Sequence, residues 1–238
     1  MKLDVLAIGV HPDDVELGAG ATVAKLCSEG YKVGILDLTS GQLGTRGTPE
    51  LRIKEAENAA KILGVQTRVN LEMQDGFFKN DAAHQLQIIE QIRRFQPRIV
   101  LLNAPSDRHP DHGRAAQLEI EACFYAGLRK IESTWKGVQQ EAFRPTQLYH
   151  YIQFNNLEPD FISDVSGFVE TKMKAILAFE SQFYKENSDE PETVLTSQSF
   201  LDATRFRMTD YGRLIGTEAG EGFITRNKLG VSNLMDLI

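Results

Sequence analysis

The first half of the chain alternates between two spacings of hydrophobic residues. One is a short, almost wholly apolar run rich in β-branched residues, as at 3–10, which is typical of a parallel strand buried on both faces. The other is a helical spacing, as at 15–29, where Gly30 then favours an end to the helix. Together they predict four strands, at 3–10, 31–38, 65–71 and 98–102, and four helices, at 15–29, 49–63, 81–95 and 113–126.

Strands that alternate with helices of this length indicate βαβ units, because parallel neighbouring strands need a crossover helix. We therefore predict an α/β fold, Rossmann-like and doubly wound, with a mainly parallel sheet and helices on both faces. After residue 130 the pattern is weaker; it predicts a strand at 147–154, helices at 167–182 and 195–214, and an acidic surface loop at 185–192. No internal repeat is visible and the acidic loop is not expected to be a linker, so we predict a single domain over 1–238.

The charge and the cysteine content argue against several classes of protein. Lys and Arg number 26 against 33 Asp and Glu, a formal charge of -7, and no basic run occurs, so a nucleic-acid or acidic-membrane binder is not expected. Cys27 and Cys123 are far apart, which argues against a disulfide framework and against a thiolate zinc site. The N-terminus lacks the features of a secretory signal, and no apolar run approaches the about 18 residues of a membrane helix. We predict a soluble, cytoplasmic protein.

Two short clusters of histidine and aspartate follow predicted strands. The motif H-P-D-D at 11–14 comes at the carboxyl end of the first strand, and H-P-D-H at 109–112 comes a few residues after the fourth. In a doubly wound sheet of strand order 3-2-1-4, the first and fourth strands are neighbours at the point where the strand order reverses. Ligands bind in the crevice at that point, so we expect the two clusters to converge there.

The residue types in the two clusters suit a divalent metal ion. Imidazole nitrogens and a carboxylate are good zinc ligands, and a catalytic zinc keeps an open position beside three protein ligands. His11 and Asp14, three residues apart across a turn, can face one point, and His112 can complete the set. Asp13 and His109 are then left beside the metal. There a carboxylate can accept a proton from water, and a histidine can polarise or protonate the reacting group.

Each part of this pattern has a simpler alternative. An aspartate such as Asp13 or Asp14 at the start of a helix is a common N-cap, and a histidine–proline pair in a loop is usually solvated. Two histidines and one carboxylate also suit a non-haem iron oxygenase, although those enzymes usually use β-barrels. Two clusters at neighbouring strands favour a metal or catalytic site. His84, on a predicted helix, and His150, in a predicted strand, are expected to be structural.

Five features in order along the chain resemble one enzyme family. They are H-P-D-D after the first strand, the glycine-bearing loop 39–48, an R-x-x-E helix containing Arg52, the later H-P-D-H, and a tail with I-G followed by E-G-F between 215 and 223. In this combination the sequence resembles the PIG-L/LmbE-type deacetylases over most of its length. The resemblance implies a zinc-dependent enzyme that removes acetyl or related acyl groups from N-acetylglucosamine conjugates.

Carried over by position, the resemblance implies a role for each residue of the motifs. It makes three residues the ligands of Zn2+: His11, Asp14 and His112. It makes Asp13 the general base. It implies that His109 stabilises the oxyanion and helps the amine to leave, with the neighbouring Asp111 as an orienting group.

Three arginines outside the two clusters fall within the resemblance. Arg52 matches an arginine that contacts substrate in this family; by spacing alone it could instead pair with Glu55 across one face of its helix. The family's A-R-x-R element is only partly present at 203–207, so no role is assigned to Arg205 or Arg207.

Within the family the sequence is most similar to the deacetylases of bacillithiol biosynthesis. This implies N-acetylglucosaminyl malate as the substrate, with Arg52 able to pair with its carboxylate. Two alternatives remain: a deacetylase of other N-acetylglucosamine derivatives such as chito-oligosaccharides, and a sugar-binding protein without catalysis. The expected partners are a small amino-sugar substrate and further copies of the chain in a homo-oligomer, with no nucleic acid and no membrane.

Overall fold

The computed structural model of the protein describes residues 1–183 and 189–238, so the start of the predicted acidic loop 185–192 lies outside the described residues. Within them the strands are β1 (Val5–Gly9), β2 (Val33–Thr39), β3 (Thr67–Met73), β4 (Ile99–Leu102), β5 (Thr134–Trp135), β6 (Val138–Gln139), β7 (Gln147–Tyr151), β8 (Phe161–Asp164) and β9 (Gly220–Thr225). The helices are α1 (Asp14–Ser28), α2 (Pro49–Leu63), α3 (Ala82–Phe95), α4 (Pro110–Ala126), α5 (Val169–Leu177) and α6 (Gln198–Ile215).

The main sheet has the strand order β3-β2-β1-β4-β7-β9-β8, and β5 and β6 form a separate hairpin. From β3 to β7 all neighbouring strands are parallel, whereas β9 runs antiparallel to both β7 and β8. The predicted α/β fold with a mainly parallel sheet is therefore confirmed, as is the order of its first four strands. Because β1 lies between β2 and β4, the segments that follow β1 and β4 emerge side by side.

Helices cover both faces of the sheet because alternate residues of its central strands point to opposite sides. Val5 and Ala7 of β1 pack with α1, α2 and α5 on one face, whereas Leu6 and Ile8 pack with α3 and α4 on the other. The unbroken apolar run of β1 is thus explained by burial on both faces. None of the helices in the described residues is long and apolar enough to cross a membrane.

The structure corrects several predicted boundaries in the second half of the chain. Helix α4 begins at Pro110 rather than at residue 113, because His109 occupies the N-cap and proline suits the first turn. Helix α5 ends at Leu177 rather than at 182, and α6 begins at Gln198 after a short 3-10 helix. Strand β7 ends at Tyr151 rather than at 154. The residues that follow β7 are therefore free to leave the sheet.

Strands β8 and β9 are not predicted from the sequence. Strand β9 has the sequence G-E-G-F-I-T, in which two glycines weaken the strand signal. Close packing requires both of them. A Cβ on Gly220 would lie 2.5 Å from Ile162 Cγ2, and one on Gly222 would lie 3.0 Å from the ring of Tyr211. The close packing of β8 and α6 against β9 thus requires the two glycines, and these glycines are why the sequence does not predict the strand.

Helix α1 is kinked at Ala19, whose φ of -140° is not helical. The buried carboxylate of Glu221 on β9 accepts hydrogen bonds from Ala21 N at 3.1 Å and from Thr22 N at 2.7 Å. Lys172 on α5 compensates its charge, with Nζ 2.6 Å from Oε1. These bonds satisfy backbone donors at the start of the second helical segment, as a cap does at any helix start. They also anchor α1 to the C-terminal third of the chain.

Candidate active site

The two histidine–aspartate clusters meet where β1 and β4 end. The two strands pair in parallel register, with Val5 opposite Ile99. The rings of His11, His109 and His112 consequently lie together, with centroids 4.8 Å, 5.2 Å and 5.7 Å apart. The structure therefore brings the clusters to one place, as their positions after neighbouring strands predict.

Three residues, His11, Asp14 and His112, form a buried group that can hold a metal ion, here called the metal group. Their ligand atoms all lie within 4.8 Å of one another. Asp14 lies between the two rings, with Oδ2 3.5 Å from His11 Nδ1 and Oδ1 3.2 Å from His112 Nε2. Two imidazole nitrogens and one carboxylate are a donor set that a hydrolytic zinc accepts. The residues present thus fit a divalent metal. His11, His109 and Asp111 form a second group of equally close ligand atoms.

Each histidine of the first group has its other ring nitrogen held by a further carboxylate. His112 Nδ1 lies 2.6 Å from Asp107 Oδ2, and His11 Nε2 lies 3.0 Å from Asp75 Oδ1. Such pairs fix the tautomer and the orientation of metal-binding histidines. Sequence reasoning missed both aspartates. Each follows a strand, β3 for Asp75 and β4 for Asp107, and that position is the signal that could have found them.

The carboxylates around this group favour positive charge at its centre. Burial acts to lower the pKa of His112, but Asp14 and Asp107 outweigh it and raise this pKa to about 9. Burial acts to raise the pKa of Asp14, yet His112 and His11 hold this pKa well below its usual value. A cation is therefore stabilised at this position, which agrees with the donor set.

Asp13 stands at the N-cap position of α1 but does not cap the helix. Its φ is 129°, and its side chain makes no capping hydrogen bond, so the N-cap alternative is wrong for this residue. Its Oδ2 lies instead 2.9 Å from Arg52 Nη2. Burial raises the pKa of Asp13 to about 7, while Arg52 acts in the opposite direction. A strained backbone and a carboxyl whose pKa is close to neutrality are both typical of functional sites.

Arg52 is buried and is directed at the first cluster rather than along its own helix. Besides Asp13 it contacts the carbonyl oxygen of Pro12 through Nη2. Glu55, the alternative partner on α2, accepts hydrogen bonds from Ser181 N and Oγ, both at 2.8 Å. Arg52 and Glu55 therefore do not form the ion pair that their spacing allows. Arg52 binds Asp13 instead.

Gly41, in the loop after β2, makes room for this guanidinium. A Cβ at Gly41 would clash with Arg52 Nη1 and lie 2.8 Å from Cζ, and φ there is +65°. Gly41→Ala should displace Arg52 and so lower kcat about 100-fold, since a small misplacement of catalytic groups can cost that much. Gly167→Ala is the control, because Gly167 has a φ of +82° and open space around its Cβ position. Steady-state assays should show a loss of kcat in Gly41→Ala and none in Gly167→Ala. Equal losses in the two variants would contradict the role of Arg52 in supporting Asp13.

His109 occupies the N-cap of α4 at the edge of the metal group. Its Nδ1 accepts a hydrogen bond from Asp111 N at 3.3 Å, which leaves the proton of a neutral ring on Nε2. Burial, together with the neighbouring histidines, lowers the pKa of His109 and favours this neutral form. The carboxylate of Asp111 binds Arg114 Nη1 at 2.9 Å and Gly76 N at 3.0 Å. Asp111, the candidate orienting group, thus contacts His109 through its backbone N–H.

The other two histidines lie away from this site. His84 on α3 has Nδ1 2.7 Å from Asp81 Oδ1, and His150 on β7 is buried with Nδ1 2.6 Å from Asn103 O. Neither side chain lines the cavity at the metal group. Both have the structural surroundings expected from the sequence.

A cavity of about 610 Å³ contains the metal group, Asp13 and His109 in its lining. The C-terminal third supplies much of the remaining lining, including Phe154 after β7 and Phe200 on α6. Arg207 also lines the cavity, whereas Arg205 pairs with Glu170 at the surface. A cavity of this volume is suited to a small-molecule ligand.

Comparison with known proteins agrees with this geometry. The family described as GlcNAc-PI de-N-acetylase (PIG-L) matches residues 6–123, which include both clusters and Arg52. Diacetylchitobiose deacetylase of Thermococcus kodakarensis is 30% identical over 230 residues, which cover 92% of this chain and 81% of that protein. The chain belongs to the PIG-L family.

Solved structures extend the match of this PIG-L deacetylase to nearly its whole length. The conserved protein TT1542 from Thermus thermophilus is 35% identical, with a TM-score of 0.85 over 97% of this chain and 98% of that one. N,N'-diacetylchitobiose deacetylase from Pyrococcus horikoshii is 27% identical, with a TM-score of 0.77 over 92% and 82%. The predicted family and the predicted enzyme class are therefore confirmed.

Proposed function

We propose that this chain hydrolyses the N-acetyl group of short N-acetylglucosamine saccharides in a Zn2+-dependent reaction, with diacetylchitobiose as the representative substrate. The observation that carries the proposal is the buried group of His11, Asp14 and His112 in the lining of a sugar-sized cavity. Asp13 and His109 line the same cavity beside that group. Binding alone would not need a carboxyl that can take up a proton and a hydrogen-bond donor beside the metal group, so the presence of both supports hydrolysis.

Each residue of the site has a distinct task in this proposal. Three residues hold Zn2+: His11, Asp14 and His112. The ion would polarise the acetyl carbonyl and lower the pKa of the attacking water. Arg52 holds Asp13 Oδ2 at 2.9 Å, so Asp13 is oriented to accept the water's proton at Oδ1. His109, with Nδ1 engaged by Asp111 N, directs its Nε2–H to the developing oxyanion, and the proton that Asp13 has taken from the water passes to the leaving nitrogen.

Two observations support a neutral saccharide rather than the malate conjugate. The relatives from Thermococcus kodakarensis and Pyrococcus horikoshii are both diacetylchitobiose deacetylases by name. Arg52, the cation expected to pair with malate, is already compensated by Asp13, and Lys172, a second buried cation of the lining, is compensated by Glu221. A substrate carboxylate that paired with either of these two cations would have to displace its buried partner, which is unfavourable.

An amine-release assay on the Zn2+-loaded protein tests the substrate class. We expect kcat/KM for diacetylchitobiose to exceed that for N-acetylglucosaminyl malate at least tenfold, a difference of only about 1.4 kcal/mol. Metal analysis of the same protein should find zinc, and active protein that holds iron alone would contradict the choice of metal. No amine release from either substrate at full zinc loading would contradict the proposed reaction.

N-acetylglucosaminyl malate is the second candidate, and Arg108 is the observation in its favour. Arg108 lines the cavity from an exposed position, with Cζ 4.8 Å from the centre of the Phe154 ring. Its guanidinium has no carboxylate partner among residues 1–183 and 189–238. If this cation receives malate, Arg108→Gln should raise KM for the malate conjugate and leave KM for diacetylchitobiose unchanged.

Three expectations from the sequence accompany the proposal. A single domain over 1–238, a homo-oligomeric state and a cytoplasmic location stay predictions. Light scattering on the purified chain would measure the oligomeric state directly.

A further inference from the structure

The segment 153–156, which follows β7, reaches from the proposed metal group to helix α6. Gln153 is 7% exposed and lines the cavity, and Phe154 lines it beside Gln153. No motif marks this segment in the sequence, and neither residue moves a proton in the proposed reaction. The hydrogen bonds of the segment nevertheless connect the metal group with the part of the cavity that α6 provides.

The side-chain amide of Gln153 is fixed at both ends. Its Oε1 accepts a hydrogen bond from Ala104 N at 3.1 Å, and its Nε2 donates to Asp14 Oδ1 at 2.9 Å. A backbone N–H can only donate and a carboxylate can only accept, so these partners determine which end of the amide faces Asp14. Nε2 also lies 3.4 Å from His112 Nε2. Gln153 thus contacts the side chains of two proposed ligands and has no free end to offer a substrate.

The backbone of the same segment supports the second histidine ligand. Asn155 N donates to Asp107 Oδ1 at 2.7 Å, and the other oxygen of Asp107 lies 2.6 Å from His112 Nδ1. The segment therefore contacts Asp14 through the side chain of Gln153. It supports His112 through the carboxylate of Asp107. A displacement of the segment would disturb both ligands together.

Arg207 on α6 holds the segment from its other side. One nitrogen of its guanidinium donates to Gln153 O, and Nη2 donates to Phe154 O at 2.8 Å and to Asn156 Oδ1 at 3.2 Å. The rigid fork of a guanidinium can bind several acceptors at fixed angles, which an ammonium group cannot do. Arg207 thus fixes the backbone position of Gln153 as well as its neighbours.

We propose that Gln153 is a positioning residue for the metal ligand Asp14, and that Arg207 fixes the place of Gln153 by binding the segment 153–156. The proposal rests on the proposed function, in which Asp14 and His112 hold Zn2+. A carboxylate already oriented by a hydrogen bond loses less freedom when it binds an ion, so the contact from Gln153 raises metal affinity. Arg207 acts on the same affinity through Gln153, although it touches no ligand itself.

Gln153→Leu removes both amide contacts at similar volume. We expect the Zn2+ dissociation constant of the metal-free chain, measured by competition with a chromogenic chelator, to rise about 10- to 100-fold. Gln182→Leu is the matched control. Gln182 is also 7% exposed and lines the same cavity, but its amide donates to Arg46 O at 2.8 Å. The Zn2+ affinity of Gln182→Leu should equal that of the wild type, even if Gln182→Leu and Gln153→Leu lose the same amount of thermal stability.

Arg207→Leu tests the second part of the proposal by the same titration. We expect a weaker Zn2+ affinity, with partial recovery in Arg207→Lys, because lysine can keep one of the contacts but not the whole fork. In a chain that already carries Gln153→Leu, the part of the effect of Arg207→Leu that acts through Gln153 should disappear, which leaves only the part that acts through Asn155 and Asp107 on His112. Fully additive losses would overturn the role assigned to Arg207.

His112→Ala separates failure of this proposal from failure of the proposed function. Wild-type Zn2+ affinity in Gln153→Leu, together with loss of the metal in His112→Ala, would overturn the positioning role and leave the ligand assignment standing. Wild-type affinity in both variants would overturn the ligand assignment. Equal losses in Gln153→Leu and Gln182→Leu would show a general disturbance of the cavity and would also overturn the positioning role.

Discussion

Asp13→Asn is expected to lower kcat about 10²- to 10⁴-fold, which is the range that a general acid or base contributes. Asparagine has nearly the shape of aspartate, and its Oδ1 can still accept the hydrogen bond from Arg52 Nη2. It cannot take up the proton of the attacking water. Because Asp13 is not among the three proposed ligands, the Zn2+ content should stay at the wild-type level. Amine release at saturating substrate and metal analysis of the same sample measure the two effects.

Asp37→Asn is the matched control for the loss of a buried carboxylate paired with arginine. Asp37 binds Arg68 at 2.7 Å and 2.9 Å and is as buried as Asp13, but it does not line the cavity. Breaking a buried ion pair costs up to about 3–5 kcal/mol, so this variant should unfold at a lower temperature. Its folded fraction should keep the wild-type kcat. Full kcat in Asp13→Asn, or an equal kcat loss in Asp37→Asn, would contradict Asp13 as the base.

The residues of the metal group could be predicted because they stand beside strands with a strong pattern. Strands β1 and β4 are short apolar runs in the sequence, and parallel pairing brings their carboxyl ends together whatever the loops do. His11 and Asp14 lie within a few residues of the end of β1, and His112 lies in the first turn of α4, the helix that follows β4. Their convergence thus follows from the strand order together with the short connection between β4 and α4.

The residues that support this group could not be predicted in the same way. Asp75, Asp107 and Gln153 each follow a strand, but they belong to no motif, and polar residues are ordinary in surface loops. Each obtains its partner only when β3, β4 and β7 take their places in the sheet. The partner of Arg52 could not be predicted either. Helical spacing favours Glu55, whereas the contact with Asp13 depends on how the loop turns at Gly41.

His112→Ala is expected to weaken Zn2+ binding by more than the about 10- to 100-fold that loss of a supporting residue costs. His112 supplies one of three proposed donors, and its ring lies between Asp14 Oδ1 at 3.2 Å and Asp107 Oδ2 at 2.6 Å. Alanine removes the donor and leaves two buried carboxylates without the imidazole between them. Two ligands then remain, which is fewer than the three that catalytic zinc sites use.

Thermal unfolding with and without Zn2+ measures this loss independently of catalysis. A ligand at 100 times its Kd stabilises the native state by about 2.7 kcal/mol, which raises Tm by about 5–10 °C in a chain of this size. We expect that rise in the wild type and in His84→Ala, because the His84 ring binds Asp81, the N-cap residue of α3, and does not line the cavity. His112→Ala should show no rise. A full rise in His112→Ala would place the metal elsewhere, and a missing rise in His84→Ala would show that the loss is not specific to the proposed ligands.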